Sequence, residues 1–397
     1  MKQEKFIVKS NFKDIKNFAF LLPNRKKKLK NGSPEPVPKT YPINELAKLN
    51  HPGEMSLIVD EIIEHSADVK SYILKSANEK PLAPFRAGQY LTVKMKIGSS
   101  IVTRPYSIAS TPNDARNGFY NITVKRVPDG FVSGYILDYL SVGDYVTAYS
   151  PEGTFVYEPI RDAKTVVGIA GGSGITPFLS LAGTIADGTC DADLVLLYGA
   201  RTADDIVFRN ELDELNENEK IKVVYVLSDS DEDGYEKGFI DAEMIKKYAP
   251  EEENYSIFLC GPKAMYEFAG KEIEKLGIRK KFVRFELFSS ATKANGIPGF
   301  PMEKDGLNFK LTVKKYAEEF IVDCVANESI LVALERAGIE APARCRSGEC
   351  GFCRSQLVSG EVFIPSNTDG RRLADIKFGH IHPCSTYPMS DVTIKID

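Results

Sequence analysis

The sequence has no run of eighteen apolar residues among its 397, so it offers no membrane-spanning helix. Its N-terminal apolar patch, Phe18 to Leu22, is too short for the core of a secretory signal. No internal repeat is present. Cysteine is scarce and unevenly placed: of seven, four fall between 345 and 384, and Cys190, Cys260 and Cys324 are scattered. That distribution argues against a disulfide framework and for a reducing compartment, so a cytoplasmic protein is expected. The net charge of −4 gives no general reason to expect nucleic acid as a ligand. A hydrophobic content of 43% and a charged content of 27% are ordinary for a globular chain, long enough here for two to four domains.

The near-balance of charge hides an asymmetry. Residues 1–50 hold 12 Lys/Arg against four Asp/Glu, a net of +8, which leaves −12 for the remainder. Such a basic arm can dock an acidic partner or a polyanion, or remain a solvated, loosely ordered tail. Arg25 to Lys28 runs into a Pro-rich stretch ending at Lys39, read as an extended linker without a fold of its own. From residue 55, alternating runs at 55–63, 69–75, 89–97, 101–109, 119–126 and 145–150 predict a small antiparallel barrel, with a helical insert at 133–140. From residue 165 the rhythm changes. Apolar strands at 165–170, 194–199, 222–227, 256–259 and 282–285 alternate with helices near 176–187, 205–215, 241–248 and 263–276, the pattern of a parallel doubly wound sheet. A stretch at 291–302 with two Gly and two Pro reads as a linker. A hairpin (309–315, 319–324), a helix (329–337) and a closing strand (391–396) complete the chain.

The chemistry gathers in Cys345-Arg-Ser-Gly-Glu-Cys350-Gly-Phe-Cys353, answered by Cys384. Three thiols at C-x4-C-x2-C spacing with a distant fourth match the plant-type [2Fe-2S] pattern. Gly348 and Gly351 give the loop the dihedral freedom to curl round a cluster. A structural zinc site also takes four cysteines, but usually from two short hooks and not from one triple hook and a singleton.

Upstream, Arg104-Pro-Tyr106-Ser107 ends a barrel strand and sets a phosphate binder, a ring and a hydroxyl side by side. Alone, such residues also suit a barrel rim. Gly130 to Ser133 opens the helical insert and can face a diphosphate, or Ser133 can be an ordinary N-cap. Gly168 to Pro177 follows the first parallel strand, where glycines admit a pyrophosphate to a helix start, although it is not the Gly-x-Gly-x-x-Gly fingerprint. Cys260-Gly261-Pro262 ends the fourth parallel strand, at the sheet edge where ligands of open sheets bind. Cys260 reads either as a small core residue or as a thiol beside a nicotinamide.

In this order the motifs resemble the ferredoxin–NAD(P) reductase superfamily fused to a C-terminal plant-type ferredoxin, over residues 55–397. The resemblance implies three modules: an antiparallel β-barrel flavin domain, an α/β doubly wound nucleotide domain and an α+β, β-grasp-like ferredoxin domain. The expected boundaries are 1–50 for the basic extension, 51–160, 161–290, a linker at 291–305, and 306–397. It assigns flavin binding to Arg104, Tyr106 and Ser107, and its phosphates to Gly130, Val132 and Ser133. It assigns the pyridine nucleotide to Gly171, Gly172, Ser173, Gly174 and Thr176, with Arg201, Cys260, Gly261 and Pro262. Ser173 stands where Thr is commoner. Glu286 and Phe288 match more loosely as residues closing the nucleotide domain near the flavin. Cys345, Cys350, Cys353 and Cys384 hold the cluster, while Ser107 and Cys260 carry the loosely catalytic roles.

The implied activity moves electrons from NADH through FAD to the [2Fe-2S] cluster and on to a protein acceptor. FMN stays open for the flavin. The acidic loop 228–233 disfavours a 2′-phosphate, while Arg201 and Lys237 are the residues that could favour NADPH. A slowly turning-over subunit of a larger redox complex is the alternative, and a redox sensor the third reading. The acceptor remains open among oxygenases, corrinoid proteins, hybrid-cluster proteins and small ferredoxins. Residues 1–50 have no counterpart in the resemblance.

Overall fold

The computed structural model describes residues 11–32, 40–251, 254–286, 293–366 and 368–396. It divides into a small N-terminal unit, residues 1–47, and a large one, 48–397. Ahead of the first strand, α1 (Phe12–Lys30) and α2 (Pro42–Asn50) carry no buried residue. Helix α1 was not read from the sequence. Asn11 and Asp14 form a reciprocal capping box, and Lys27, Lys28 and Lys30 lie in the last turn, where cations complement the helix dipole. The helix runs on through Pro23 and the basic run. The Pro-rich linker itself falls mostly on 33–39, outside the described residues.

In the large unit, β1 (Glu54–Ser66), β2 (Val69–Ser76), β3 (Tyr90–Ile97), β4 (Ser100–Ser107), β5 (Phe119–Lys125) and β6 (Tyr145–Tyr149) form one antiparallel sheet ordered β4-β3-β6-β1-β2-β5. The sheet curls until Ile108, just beyond β4, bridges Ile122 of β5. Leu57, Leu74, Leu91 and Val124 fill its interior. The helix α3 (Pro112–Arg116) was not anticipated. The insert α4 spans Phe131–Tyr139, two residues earlier than read from the sequence.

A second sheet is parallel throughout: β7 (Thr165–Gly171), β8 (Asp193–Ala200), β9 (Ile221–Leu227), β10 (Glu236–Lys237), β11 (Tyr255–Cys260) and β12 (Val283–Glu286), ordered β10-β9-β8-β7-β11-β12. Every residue of β7 is buried, as a central strand covered on both faces requires. Helices α5 (Thr176–Ala186), α6 (Arg209–Leu215), α7 (Ala242–Tyr248) and α8 (Lys263–Lys275) accompany the sheet. The chain runs outward from β7 through β8 and β9, then returns to β11 on the other side. That reversal places the ends of β7 and β11 at the switch point where open sheets bind ligands.

The third sheet, β14-β13-β19-β15-β17, uses β13 (Asn308–Lys315), β14 (Glu318–Val325), β15 (Ser355–Ser359), β17 (His380–Ile381) and β19 (Val392–Ile396), with the pair β16 (Val362–Phe363) and β18 (Tyr387–Pro388) beside it. Helices α9 (Ile330–Arg336) and α10 (Leu373–Lys377) complete the module. Strands β15 to β18 were not read from the sequence because most are only two residues long. Ala294, Ile297 and Phe300, in the stretch read as a linker, are buried against Ala326, Tyr387 and Met389. None of the described helices is long and apolar enough to cross a membrane.

Candidate active site and cluster loop

Among the described residues, no three His, Cys, Asp or Glu side chains converge as a single metal ion would require. The four motif thiols fall instead into two pairs. Cys353 and Cys384 lie with sulfurs 3.5 Å apart, and Cys345 is hydrogen-bonded to Cys350. Two thiols per iron suit a two-iron cluster, whereas Zn²⁺ needs four thiolates round one point. The donor set therefore fits [2Fe-2S]. The Cys345 thiol is held below the ordinary thiol range, chiefly by the Cys350 hydrogen bond and further by Ser347 and its backbone N–H. Gly348 (φ +84°) and Gly351 (φ +72°) take the left-handed backbone that the loop needs, and a Cβ on Gly348 would stand 2.3 Å from the Thr368 carbonyl. Buried His382 donates from Nδ1 to the Gly348 carbonyl at 2.5 Å, tying the loop to the Cys384 segment.

The nucleotide loop lies at the switch point. After Gly171 the chain makes a short 3₁₀ turn through Gly172, Ser173 and Gly174 and enters α5 at Thr176, whose hydroxyl donates to the Ser173 carbonyl at 3.0 Å. Tyr198 donates to the Gly172 carbonyl at 3.1 Å. A Cβ on Gly174 would sit 2.2 Å from the Cys260 carbonyl, and one on Gly171 or Gly261 would strike Met265. This loop and the Cys260-Gly261-Pro262 segment approach as closely as glycine allows. A Cβ on Gly172 would be 3.3 Å from Lys125 Nζ, which brings a barrel lysine over the loop. Cys260 is buried, and burial pushes its thiol up, so it is a neutral contact group at neutral pH and not a thiolate. Arg201 is largely exposed and paired with Asp205 at 3.0 Å. Lys237 is paired with Asp231 at 2.6 Å.

In the barrel, Tyr106 and buried Ser107 lie on β4, with Ser107 opposite Tyr90 of β3. The Ser133 N-cap alternative is not realised. Gly130 is the N-cap of α4 without a side-chain cap, Val132 and Ser133 follow in the first turn, and Ser133 Oγ accepts from Val127 N–H at 3.1 Å. A Cβ on Gly130 would lie 2.5 Å from Ser133 Oγ. An uncapped helix start behind a glycine cradle fits a phosphate group. Arg104 is brought down to about 10, first by burial and then by Arg346.

The ferredoxin module sits against this barrel through charges that the sequence did not announce. Glu335 of α9 pairs with Arg346 of the cluster loop and approaches Arg104 at 3.7 Å, and the Thr103 N–H donates to it at 3.4 Å. Glu335 and Arg346 side chains are only 7% and 6% exposed. Arg344 bonds Glu152 at 3.0 Å and lies over the rings of Tyr149 and Phe352 at 4.3 and 4.2 Å. Lys94 reaches Glu340 and Glu54. Gly338 (φ +70°) allows α9 to end against Ser99, whose carbonyl would be 2.7 Å from a Cβ there. Glu286, paired in register with Cys260, has its carboxyl pushed well up by burial and by the negative charges of Glu349 and Cys345. Phe288 lies outside the described residues.

Fold and sites together define a flavin- and nucleotide-binding reductase with its own iron–sulfur module. Family models agree: an oxidoreductase FAD-binding domain at 56–157, an oxidoreductase NAD-binding domain at 169–271 and a 2Fe-2S iron-sulfur cluster binding domain at 313–389. The chain belongs to the ferredoxin–NAD(P) reductase superfamily, in the arrangement that ends in a 2Fe-2S domain, and is an NAD(P)H-dependent flavoprotein oxidoreductase. It is 28% identical over 352 residues to the glycine betaine monooxygenase reductase subunit of Pseudomonas aeruginosa, covering 84% of this chain and 93% of that one. It is 28% identical over 311 residues to the NADH oxidoreductase HCR of Escherichia coli, covering 78% and 89%. Among solved structures, phthalate dioxygenase reductase superposes with a TM-score of 0.63 at 26% identity, over 90% of this chain and all of that one.

Proposed function

We propose that this chain draws electrons from NADH and delivers them to a separate protein acceptor of the oxygenase kind, with the site residues in the roles the resemblance implies. The observation that carries the reading is a convergence of all three modules. Arg344, next to Cys345, bonds Glu152 at 3.0 Å, and Glu152 bridges Tyr90, which lies opposite Ser107. Lys125 Nζ of the barrel stands 3.3 Å from where a Cβ on Gly172 would lie, so barrel, cluster loop and nucleotide loop adjoin. FAD, when bound, supplies the change from hydride to single electrons, and the [2Fe-2S] cluster carries them singly.

This chain's residues orient and enclose. In this reading Arg104 and the start of α4 take the flavin phosphates, Ser107 the ring, and the Gly171–Thr176 turn the nucleotide diphosphate. Both cations that could welcome a 2′-phosphate, Arg201 and Lys237, are engaged by Asp205 and Asp231, which supports NADH. The oxygenase class of acceptor rests on relatives such as the Pseudomonas aeruginosa glycine betaine monooxygenase reductase subunit and the Rhodococcus rhodochrous 3-ketosteroid-9-alpha-monooxygenase ferredoxin reductase component. Four motif thiols needing reduction and three scattered free ones support a cytoplasmic setting.

The test is NADH-dependent reduction of a soluble one-electron dye by the isolated holoprotein. Rapid turnover is expected. Intact cofactors with slow turnover would favour the second reading, a subunit that works only inside a larger redox complex.

A further inference from the structure

The family models begin at residue 56, so the helix α1 has no part in the electron path they describe. At 100° per residue, Phe12, Ile15, Phe18, Ala19, Leu22 and Leu29 share one sector of about 120°. Phe12, Phe18 and Leu29 are 85%, 78% and 72% exposed, and α1 has no buried residue. The helix carries seven Lys/Arg against one acidic residue, Asp14. Lys26 falls inside the apolar sector and Lys30 at its edge, both on stems long enough to carry the ammonium out of an apolar layer. Phe20 and Leu21 lie outside the sector, near Lys13, Lys27 and Lys28, and add nothing to its width.

We propose that α1 is a peripheral anchor that lies flat on an anionic bilayer surface, its Phe/Leu sector among the acyl chains and its lysines on lipid phosphates. Each half of the pattern excludes a different alternative. A basic stretch serving a nucleic acid has no use for five exposed aromatic and aliphatic side chains on one face. An apolar sector made for a neutral groove has no use for a run of four cations beside it. A bilayer interface satisfies both together. The helix is also too polar to cross the membrane, and its length of about 28 Å suits an in-plane position. The remainder of the chain is net negative, so anionic lipid would repel it and leave the arm as the point of attachment.

The test is co-sedimentation of the full-length holoprotein with vesicles of phosphatidylcholine alone or with about a third phosphatidylglycerol. Binding is expected only with phosphatidylglycerol present, weakening at high salt. Replacing Lys26, Lys27 and Lys28 by Gln should weaken it about a hundredfold. The pair F18D and L22D should abolish it, with dye reduction by NADH unchanged in both variants. Absence of binding to anionic vesicles would overturn the proposal. Binding that survives F18D/L22D would also overturn it, because the arm would then be a general polyanion binder. Saturable binding to an acidic protein in place of vesicles would do the same.

Discussion

The barrel meets its two neighbours through surfaces of opposite character. Against the nucleotide sheet the seam is apolar and close. Phe155 lies between Phe178 and Phe258, ring centroids 5.7 and 5.1 Å away, and Ser180 donates to the Ser110 carbonyl at 2.6 Å. A Cβ on Gly183 would already stand 2.6 Å from Thr111. Against the ferredoxin module the seam is ionic: Arg104 and Arg346 about Glu335, Arg344 on Glu152, Lys94 on Glu340. Apolar burial supplies stability without a preferred partner atom, whereas buried charges add little net stability and penalise every wrong register. The first seam holds two modules as one body. The second fixes where the cluster loop lies on the barrel.

Changes on the two sides should separate these roles. The largest effect is expected from C350S, which removes one thiolate of a pair. Iron and acid-labile sulfide should fall to background while NADH still bleaches the flavin band, since no barrel or nucleotide residue is touched. Next, F155A should destabilise the protein by about 3–5 kcal/mol through a cavity in the apolar seam, measurable by urea denaturation. Replacing Glu335 by Ala strands the buried Arg346 guanidinium and removes the carboxylate that half-buried Arg104 approaches, a loss of about 3 kcal/mol. It should slow electron arrival at the cluster while flavin bleaching by NADH keeps its rate. Equal slowing of both would show that the ionic seam does not act selectively on the cluster. The smallest effect belongs to K94A at the rim, below about 1 kcal/mol.

Much of this was legible in the chain. Period-two runs gave the barrel strands, continuous apolar runs gave the parallel strands, and the cysteine spacing marked the cluster loop before any thiol was placed. Glu335, Arg346 and Glu152 were not legible, because Glu335 in Leu-Glu-Arg reads as one more charged position on a helix. Only a tertiary contact turns it inward. Tyr90 and Lys125 were missed for a related reason: each lies on a strand whose alternation accounts for it fully, and its role arises from what the neighbouring module brings near. Helix α1 was missed because a lysine run followed by prolines outweighed the Asn11–Asp14 capping box.

The central claim is that one chain carries electrons from nicotinamide to cluster across modules fixed in contact. The most direct measurement is an anaerobic optical titration of the holoprotein with NADH and, separately, NADPH. The expected result is bleaching of both flavin and iron–sulfur bands at low NADH, with NADPH far less effective. Bleaching of the flavin alone, or of neither band, would contradict the claim.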